Sequence, residues 1–350
     1  MFFERGRFFF IIFIYICTIN FENRFLMNKT YKWGILGAAR IAQKFAEGLK
    51  LLPNAERYAV ASRSWERAKV FQENHGFVKA YGSYEEMLAD PELDIVYIAT
   101  TNNLHFEHTM MCLEAGKAVL CEKPFASDLS QAEQMVNKSR EKNVFLMEAL
   151  WSRFIPSMIQ FKAQVESGAI QRPLLLQCNF GFISPFDPYN RIYDPALGGG
   201  SIPDIGIYPI FTAMYLFGKP EKIEVMSVAA PTGTDWTTSV LFKHKKKEIS
   251  MLTSSFEMIL DNEARVYGEG GYLKLHSMFH MPTRLTLRTN DGRETEIPVN
   301  LSGNGYNYEA AEVMDCLDKG LIESPDLPHA FSVDLMRVLD EVSRKAQKSF

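Results

Sequence analysis

The sequence has no C-x-x-C pair and no cysteine–histidine spacing of the zinc-binding kind. Its five cysteines, at 17, 112, 121, 178 and 316, are odd in number and scattered over 350 residues. That pattern argues against a disulfide framework and against a metal site. It suits buried thiols in a reducing compartment, so a cytoplasmic protein is expected. A basic excess is also missing. With 38 Lys and Arg against 42 Asp and Glu the net charge is −4, and no global field exists to hold nucleic acid or an anionic membrane. The one basic cluster, Lys243 to Lys247, lies between two strand-like runs and reads as a solvated hairpin tip. Internal repeats and low-complexity linkers are lacking. So is an apolar run of the roughly 20 residues that a bilayer span requires. The nearest, FFFIIFIYIC at 8–17, follows Arg5 and Arg7 as in a signal peptide, but neither a small-x-small cleavage site nor a twin-arginine pair accompanies it. Residues 1–27 are therefore expected to be a non-globular extension from a misassigned start, a membrane anchor being the alternative.

What remains is long for one core, since single cores stop growing at roughly 250–300 residues, and two domains are expected. From Lys32 the pattern alternates. KWGILG is a short strand ending in glycine, and Ile41, Phe45 and Leu49 then recur at helical spacing. ERYAVAS (56–62), DIVYIATT (94–101), AVLCE and VFLMEA (144–149) are further strands. Helices fall between them over Trp65 to Asn74, Phe106 to Glu114 and Ser130 to Lys142. Alternation with short links predicts an α/β fold, a doubly wound parallel Rossmann sheet over 28–150. After Trp151 one helix, near Ser157 to Ser167, precedes a series of strands from PLLLQCNFGFI to ETEIPV, with Asn290-Asp291-Gly292 as a hairpin turn. Two helices, near Tyr308 to Lys319 and Ser332 to Lys345, close the chain. Residues 151–350 are thus expected to form an α+β domain with a large, open, mostly antiparallel sheet.

The turn GAARIA, Gly37 to Ala42, occupies the strand-to-helix position of a dinucleotide fingerprint but reads G-x-A-x-x-A. Gly37 suits the tight turn, Ala39 allows close backbone approach to a pyrophosphate, and the helix N-terminus beyond offers N–H groups and a positive dipole end. Gly37, Ala39, Arg40 and Ile41 are the candidate cofactor contacts. A turn packed with small residues remains the alternative. The second strand ends Ser62-Arg63-Ser64 with no acid until Glu66. An NAD site usually places Asp or Glu there for the ribose 2′-hydroxyl, whereas a guanidinium matches a 2′-phosphate. Ser62 and Arg63 therefore favour NADP over NAD, unless Arg63 is a surface residue starting a helix.

The stretch VLCEKPFA (119–126) places Glu122 and Lys123 at the end of a buried strand, before Pro124. Strand C-termini in an open parallel sheet face the ligand crevice, and proline restricts the residue before it. Lys123 is expected at the crevice mouth; from the triplet alone, a turn lysine paired with Glu122 stays open. In the second half, GGGSIPDIGIYPI puts Asp204 and Tyr208 four residues apart on one helical face. Ser201 is expected to cap that helix, with Pro203 in its first turn.

These stretches, GILGAARIA, ATTNNLHFEHTMMCLEAGKAVLCEKPFA and GGGSIPDIGIYPI, resemble the Gfo/Idh/MocA oxidoreductase family. LMEALWSRFIP and NGYNYEAAEV are similar to its branch of dimeric dihydrodiol dehydrogenases, which also act as NADP-dependent D-xylose dehydrogenases. Much of the family carries histidine where Tyr208 stands; the tyrosine fits that branch. The resemblance implies a homodimer in which a CH–OH group of a sugar or cyclic diol gives hydride to NADP. Tyr208 would be the base, its pKa lowered from about 10 by Lys123 and the nicotinium charge, with Asp204 orienting Lys123 or the substrate and standing as the fallback base. Thr100, Asn102 and His105, with Glu122 and Lys123, would touch the cofactor, a helix-capping or core histidine being the alternative for His105. Trp151, Arg153 and Phe180 would wall the substrate pocket. The rivals are a non-catalytic NADP sensor of the same fold and a sugar oxidoreductase whose tightly held cofactor cycles without release.

Overall fold

The computed structural model describes residues 29–282 and 284–350; the expected extension, with Cys17, lies outside them. The first strand, β1 (Tyr31–Leu36), is almost wholly buried, and the chain turns at Gly37 into α1 (Arg40–Leu49). Alternation continues through β2 (Ala55–Ala61), α2 (Trp65–His75), β3 (Lys79–Tyr81), α3 (Tyr84–Leu88), β4 (Ile95–Ile98), α4 (His105–Glu114), β5 (Ala118–Glu122), α5 (Leu129–Lys142) and β6 (Leu146–Ala149). All six strands run parallel in the order β3-β2-β1-β4-β5-β6. The order reverses between β1 and β4, which opens a ligand crevice at the strand C-termini. Every residue of β4 and β5 is buried, as a sheet covered on both faces requires. β3 and α3 are absent from the sequence reading. The strand is a half-buried KAY at the sheet edge with no apolar run to announce it, and the five-residue helix is set by its cap, Ser83 accepting from the Glu86 N–H.

Helix α6 (Pro156–Glu166) leads to the second sheet. Its strands are β7 (Pro173–Gly181) and, after α7 (Ile207–Phe217), β8 (Lys222–Ala229), β9 (Asp235–Lys243), β10 (Ile249–Ser255), β11 (Ala264–Gly268), β12 (Gly271–Leu275), β13 (Arg284–Thr289) and β14 (Glu294–Pro298). The order is β14-β13-β12-β11-β7-β10-β9-β8, antiparallel except for β7 with β10. Side chains alternate across β8 to β10. One face packs inward through Ile223, Val240, Phe242 and Leu252; the other exposes Met226, Val228, Leu241, Ile249 and Met251 by 38–71%.

The last two helices bind the sheets together. Helix α8 (Tyr306–Asp318) lies against α1 so closely that a Cβ on Gly48 would meet the Tyr306 Cβ at 2.9 Å. Helix α9 (His329–Gln347) packs on α5 and β8. Its Ser332 hydroxyl donates to Glu148 of β6 at 2.8 Å, and its Asp340 accepts from the Leu129 N–H at 2.9 Å. Cys112, Cys121, Cys178 and Cys316 are buried and free. Among the described residues no helix is long and apolar enough to cross a membrane, and no cluster of side chains is arranged to hold a metal.

Candidate active site

At the first turn Gly37 has φ +105°, and a Cβ there would lie 3.0 Å from Thr100 Cγ2 and 3.3 Å from the Ala99 backbone. Only glycine fits that conformation without strain. Ala39 is extended at the N-cap of α1, which has no side-chain cap and no acidic residue in its first turn. The helix end therefore keeps its positive character for an anion. Arg40 is exposed and Ile41 half-buried beside it. Ser62 is buried at the end of β2, and its oxygen accepts from the Ser64 N–H at 3.4 Å. Arg63 is exposed, without a hydrogen bond or ion pair to any described residue. Sequence reasoning missed its companion Arg67, one turn on, which lines an open groove of about 300 Å³ running from Ala38 between α1 and α2. Burial raises the Tyr84 hydroxyl's pKa, and both guanidinium groups pull it back, so the two cations share one neighbourhood.

Across the crevice the EKP turn meets the second half of the chain. The Lys123–Pro124 peptide is cis. Lys123 Nζ donates to the Asp204 carbonyl at 2.6 Å, stands 4.0 Å from Asp204 Oδ1, and lies 5.1 Å from the centroid of the Tyr208 ring. Burial pulls the Lys123 pKa down, but Tyr208, Asp204 and Glu122 outweigh it and the net shift is upward, so the ammonium is the resident form. Burial likewise opposes the Asp204 carboxylate, yet Lys123 and Arg191 hold its pKa below the usual range. Arg191, from the loop before α7, bonds Asp204 Oδ1 at 2.9 Å. Glu122 accepts from the Tyr97 hydroxyl and, at 3.1 Å, from the Lys123 N–H. Burial raises its pKa.

Tyr208 is 7% exposed. Lys123 acts on its pKa in the expected direction, but among the chain's own groups the net shift is upward. Burial raises it, and Lys123 with the Trp151 indole offset only part of the rise. The desolvation of the phenolate by a wall of aromatic rings outweighs one ammonium on the ring face. Trp151 Nε1–H donates to the Tyr208 oxygen at 2.9 Å. An indole can only donate, so the tyrosine's own proton is left to point elsewhere. Phe180 stands 5.8 Å from Tyr208, ring to ring. Trp151 is stacked on Tyr306 at 4.6 Å, which requires Gly305: a Cβ there would come 2.8 Å from the indole.

Three other expectations are corrected. His105 is not open to a ligand. It is buried, with Nδ1 2.8 Å from the Pro124 carbonyl and Nε2 3.2 Å from that of Thr100. Burial pushes its pKa down to about 4, and the neutral ring braces the EKP turn from behind. Arg153 turns away from Tyr208. Its guanidinium bonds the Asp326 carbonyl and carboxylate at 2.6 and 2.9 Å and lies 4.7 Å from the Tyr215 ring. Ser201 does not cap its helix, because Asp235 of β9 does. That carboxylate accepts the Ile202 N–H at 2.7 Å and the Ser201 hydroxyl at 2.6 Å. The segment Ile202–Gly206 is π-helical, Ile207 N–H reaching the Ile202 carbonyl, and this wide turn carries the chain past Pro203 into α7, whose third residue is Pro209. Thr100 bonds His108 Nδ1 at 3.0 Å through its hydroxyl, while the Asn102 Oδ1 is buried without a partner. His280 was missed altogether. No motif marks it, and only the tertiary fold brings its ring to 4.6 Å from Phe180 and 5.3 Å from Tyr208.

Comparison with known proteins identifies the family. A family model described as an oxidoreductase family with an NAD-binding Rossmann fold matches residues 31–150, and a GFO/IDH/MocA C-terminal domain matches 158–274. The chain is 39% identical over 327 residues to the trans-1,2-dihydrobenzene-1,2-diol dehydrogenase of Mus musculus, covering 90% of this chain and 96% of that one. The Xenopus laevis protein of the same name is 36% identical over 322 residues, with 89% and 96% covered. A 3-ketoreductase from Actinomadura kijaniata, solved with NADP and TDP-benzene, superposes with a TM-score of 0.83 at 25% identity over 91% of this chain and 98% of that one. Levoglucosan dehydrogenase shares the fold at a TM-score of 0.84 and 18% identity, over 92% and 98%. Two consecutive family domains and this level of identity along nine-tenths of the sequence establish that the chain belongs to the Gfo/Idh/MocA oxidoreductase family.

Proposed function

We propose that the protein is an NADP-dependent dehydrogenase acting on a CH–OH group of a cyclic diol or sugar, with Tyr208 as its proton-transfer residue. The observation that carries this is the contact set around one phenol, with the Lys123 ammonium on its ring face and the Trp151 N–H on its oxygen. The residues present fit a dinucleotide. Gly37 leaves no room for a side chain where a pyrophosphate would approach, the α1 N-terminus is uncapped, and the Asn102 amide oxygen is buried without a partner. Gly37, Ala39, Arg40 and Ile41 would hold the phosphates, Arg63 with Arg67 the 2′-phosphate, and Thr100, Asn102 and Glu122 the nicotinamide half. When bound, the cofactor supplies the hydride acceptor for the carbinol carbon.

The rest is the chain's own work. As the resident neutral phenol, Tyr208 donates its proton to a carbonyl oxygen in the reductive direction. In the oxidative direction the phenolate, which Lys123 and Trp151 stabilise, takes the hydroxyl proton and returns to the phenol. Asp204 positions Lys123 through its carbonyl. Trp151 and Phe180 exclude water from the reacting carbon. The division into a nucleotide domain to residue 150 and a substrate domain beyond belongs to the same proposal. So do a cytoplasmic location and a homodimer, the dimer formed through the outer face of β8 to β10. Pure protein with NADP and, separately, D-xylose, D-glucose and trans-cyclohexane-1,2-diol tests the reading by nicotinamide absorbance. Sustained reduction on one of them is expected. Tight binding of NADP with no reduction on any alcohol would point to a sensor, and reduction that stops after one equivalent to a cycling cofactor.

A further inference from the structure

The loop between β12 and β13 carries His280, 7% exposed. Its ring is nearly parallel to Phe180 (4.6 Å, 15°) and lies 5.3 Å from Tyr208 and 5.8 Å, edge-on, from Trp151. All seven histidines of the sequence are among the described residues, and six are hydrogen-bonded. His75 faces Glu47, His105 the Pro124 carbonyl, His108 Thr100, His244 Gly218 and Ser250, His276 Thr286, and His329 the Leu146 carbonyl. His280 alone has no hydrogen-bond partner among the described residues, and its Nδ1 is fully buried. Burial pushes its pKa down to about 4, and Lys123 and Lys44 act in the same direction, so the ring is neutral, with one N–H and one lone pair. Buried polar atoms almost always have a partner, and an orphan beside a reaction centre is a candidate to receive one from a ligand or a water.

Resting on the proposed dehydrogenase reading, we infer that His280 hydrogen-bonds a second substrate hydroxyl, on the carbon next to the one oxidised, and so selects vicinal diols over mono-ols. Tyr208 and His280 stand side by side in one wall. The phenol serves the reacting oxygen, and the imidazole, 5.3 Å away ring to ring, offers a partner to an oxygen on the neighbouring carbon. The surrounding rings Phe180, Phe279 and Trp151 offer that oxygen nothing but apolar surface and one indole N–H already given to Tyr208. A site built to bond a hydroxyl discriminates strongly against the analogue lacking it.

The test compares kcat/KM for trans-cyclohexane-1,2-diol and cyclohexanol in the wild type, His280→Phe and His280→Asn. Phenylalanine keeps the stack on Phe180 and removes both nitrogens; asparagine returns a polar atom near the Nδ1 position. The diol-to-mono-ol ratio should fall about 10- to 100-fold in His280→Phe, chiefly through KM for the diol, and recover in part in His280→Asn. Independently, the His280 ring nitrogens should shift in ¹⁵N NMR when the diol is added to the protein with NADPH. An unchanged ratio in His280→Phe, or ring nitrogens that ignore the diol, would overturn the inference while leaving the dehydrogenase reading intact. Should His280→Phe not fold, the His280→Asn ratio and the nitrogen shift decide. A wild type inactive on every alcohol sinks the dehydrogenase reading, and this inference with it, before any variant is made.

Discussion

At the nucleotide turn the polar groups that matter are backbone amides at an uncapped helix end, with Arg63 exposed and unpaired nearby. At the Lys123 junction they are side chains whose bonds are already made within the protein: Lys123 to the Asp204 backbone carbonyl, Arg191 to the Asp204 carboxylate, Trp151 to Tyr208. The first region binds by leaving charge and hydrogen-bond capacity unspent, so its specificity depends on what arrives. The second is preorganised, which is what a proton-transfer centre requires, since reorganisation at the moment of reaction adds to the barrier. Damage to the junction should therefore appear in kcat, and damage to the turn in cofactor affinity.

The largest effect expected is that of Tyr208→Phe. The fold should tolerate the loss of one hydroxyl, while kcat falls by about 10²- to 10⁴-fold, the usual range for general acid–base groups. NADP affinity, measured by fluorescence titration, should stay within about threefold. Burial holds the Tyr208 pKa above its ordinary value of 10, so the oxidative rate should still be climbing at pH 9, as the phenolate fraction rises with pH. Lys123 is the main group opposing that shift. Lys123→Met should move the alkaline limb to still higher pH as well as slow the reaction. An alkaline limb that stays in place would remove Lys123 from the proton-transfer centre and leave the contrast between the two regions without its electrostatic basis.

A smaller effect, on the other side of the comparison, belongs to Arg63→Ala. The guanidinium is free to pair with a 2′-phosphate, and charge-assisted hydrogen bonds of that kind are worth about 10- to 100-fold in affinity. The ratio of NAD to NADP dissociation constants should fall by that factor, with kcat at saturating cofactor nearly unchanged. Arg67→Ala should show a weaker version of the same change. A preference indifferent to both substitutions would mean that NADP selectivity lies elsewhere in the crevice.

Most of the fold was legible because it is written in periodicities. The buried runs of β4 and β5 and the alternation on β8 to β10 each follow from which faces are covered. What escaped was set by contacts distant in sequence. β3 is three residues paired to β2 at the sheet edge, and the cap on Ile202 comes from Asp235, 33 residues away. The site divides similarly. Lys123, Asp204 and Tyr208 sit in motifs with internal spacing, and they converge. His280 and Arg191 carry no local signature, and only folding brings them to Tyr208 and Asp204. His105 stayed between two readings in the sequence because a histidine after a strand reads alike whether its nitrogens face a ligand or, as here, two backbone carbonyls.

Arg153→Ala should have the smallest effect, and it tests where the junction ends. The residue follows Trp151 by two positions, yet its guanidinium pairs with Asp326, itself 48% exposed, and covers Tyr215. A partly exposed ion pair with a cation–π contact contributes about 1 kcal/mol. Thermal unfolding should reveal a loss of that order, and Asp326→Ala should reproduce most of it. Neither should change KM for the diol by more than about twofold, because Trp151 is held by its stack on Tyr306 and its bond to Tyr208 and does not lean on Arg153. A tenfold rise in KM from Arg153→Ala alone would extend the preorganised region outward to the Asp326 loop, and the boundary drawn between Trp151 and Arg153 would have to move.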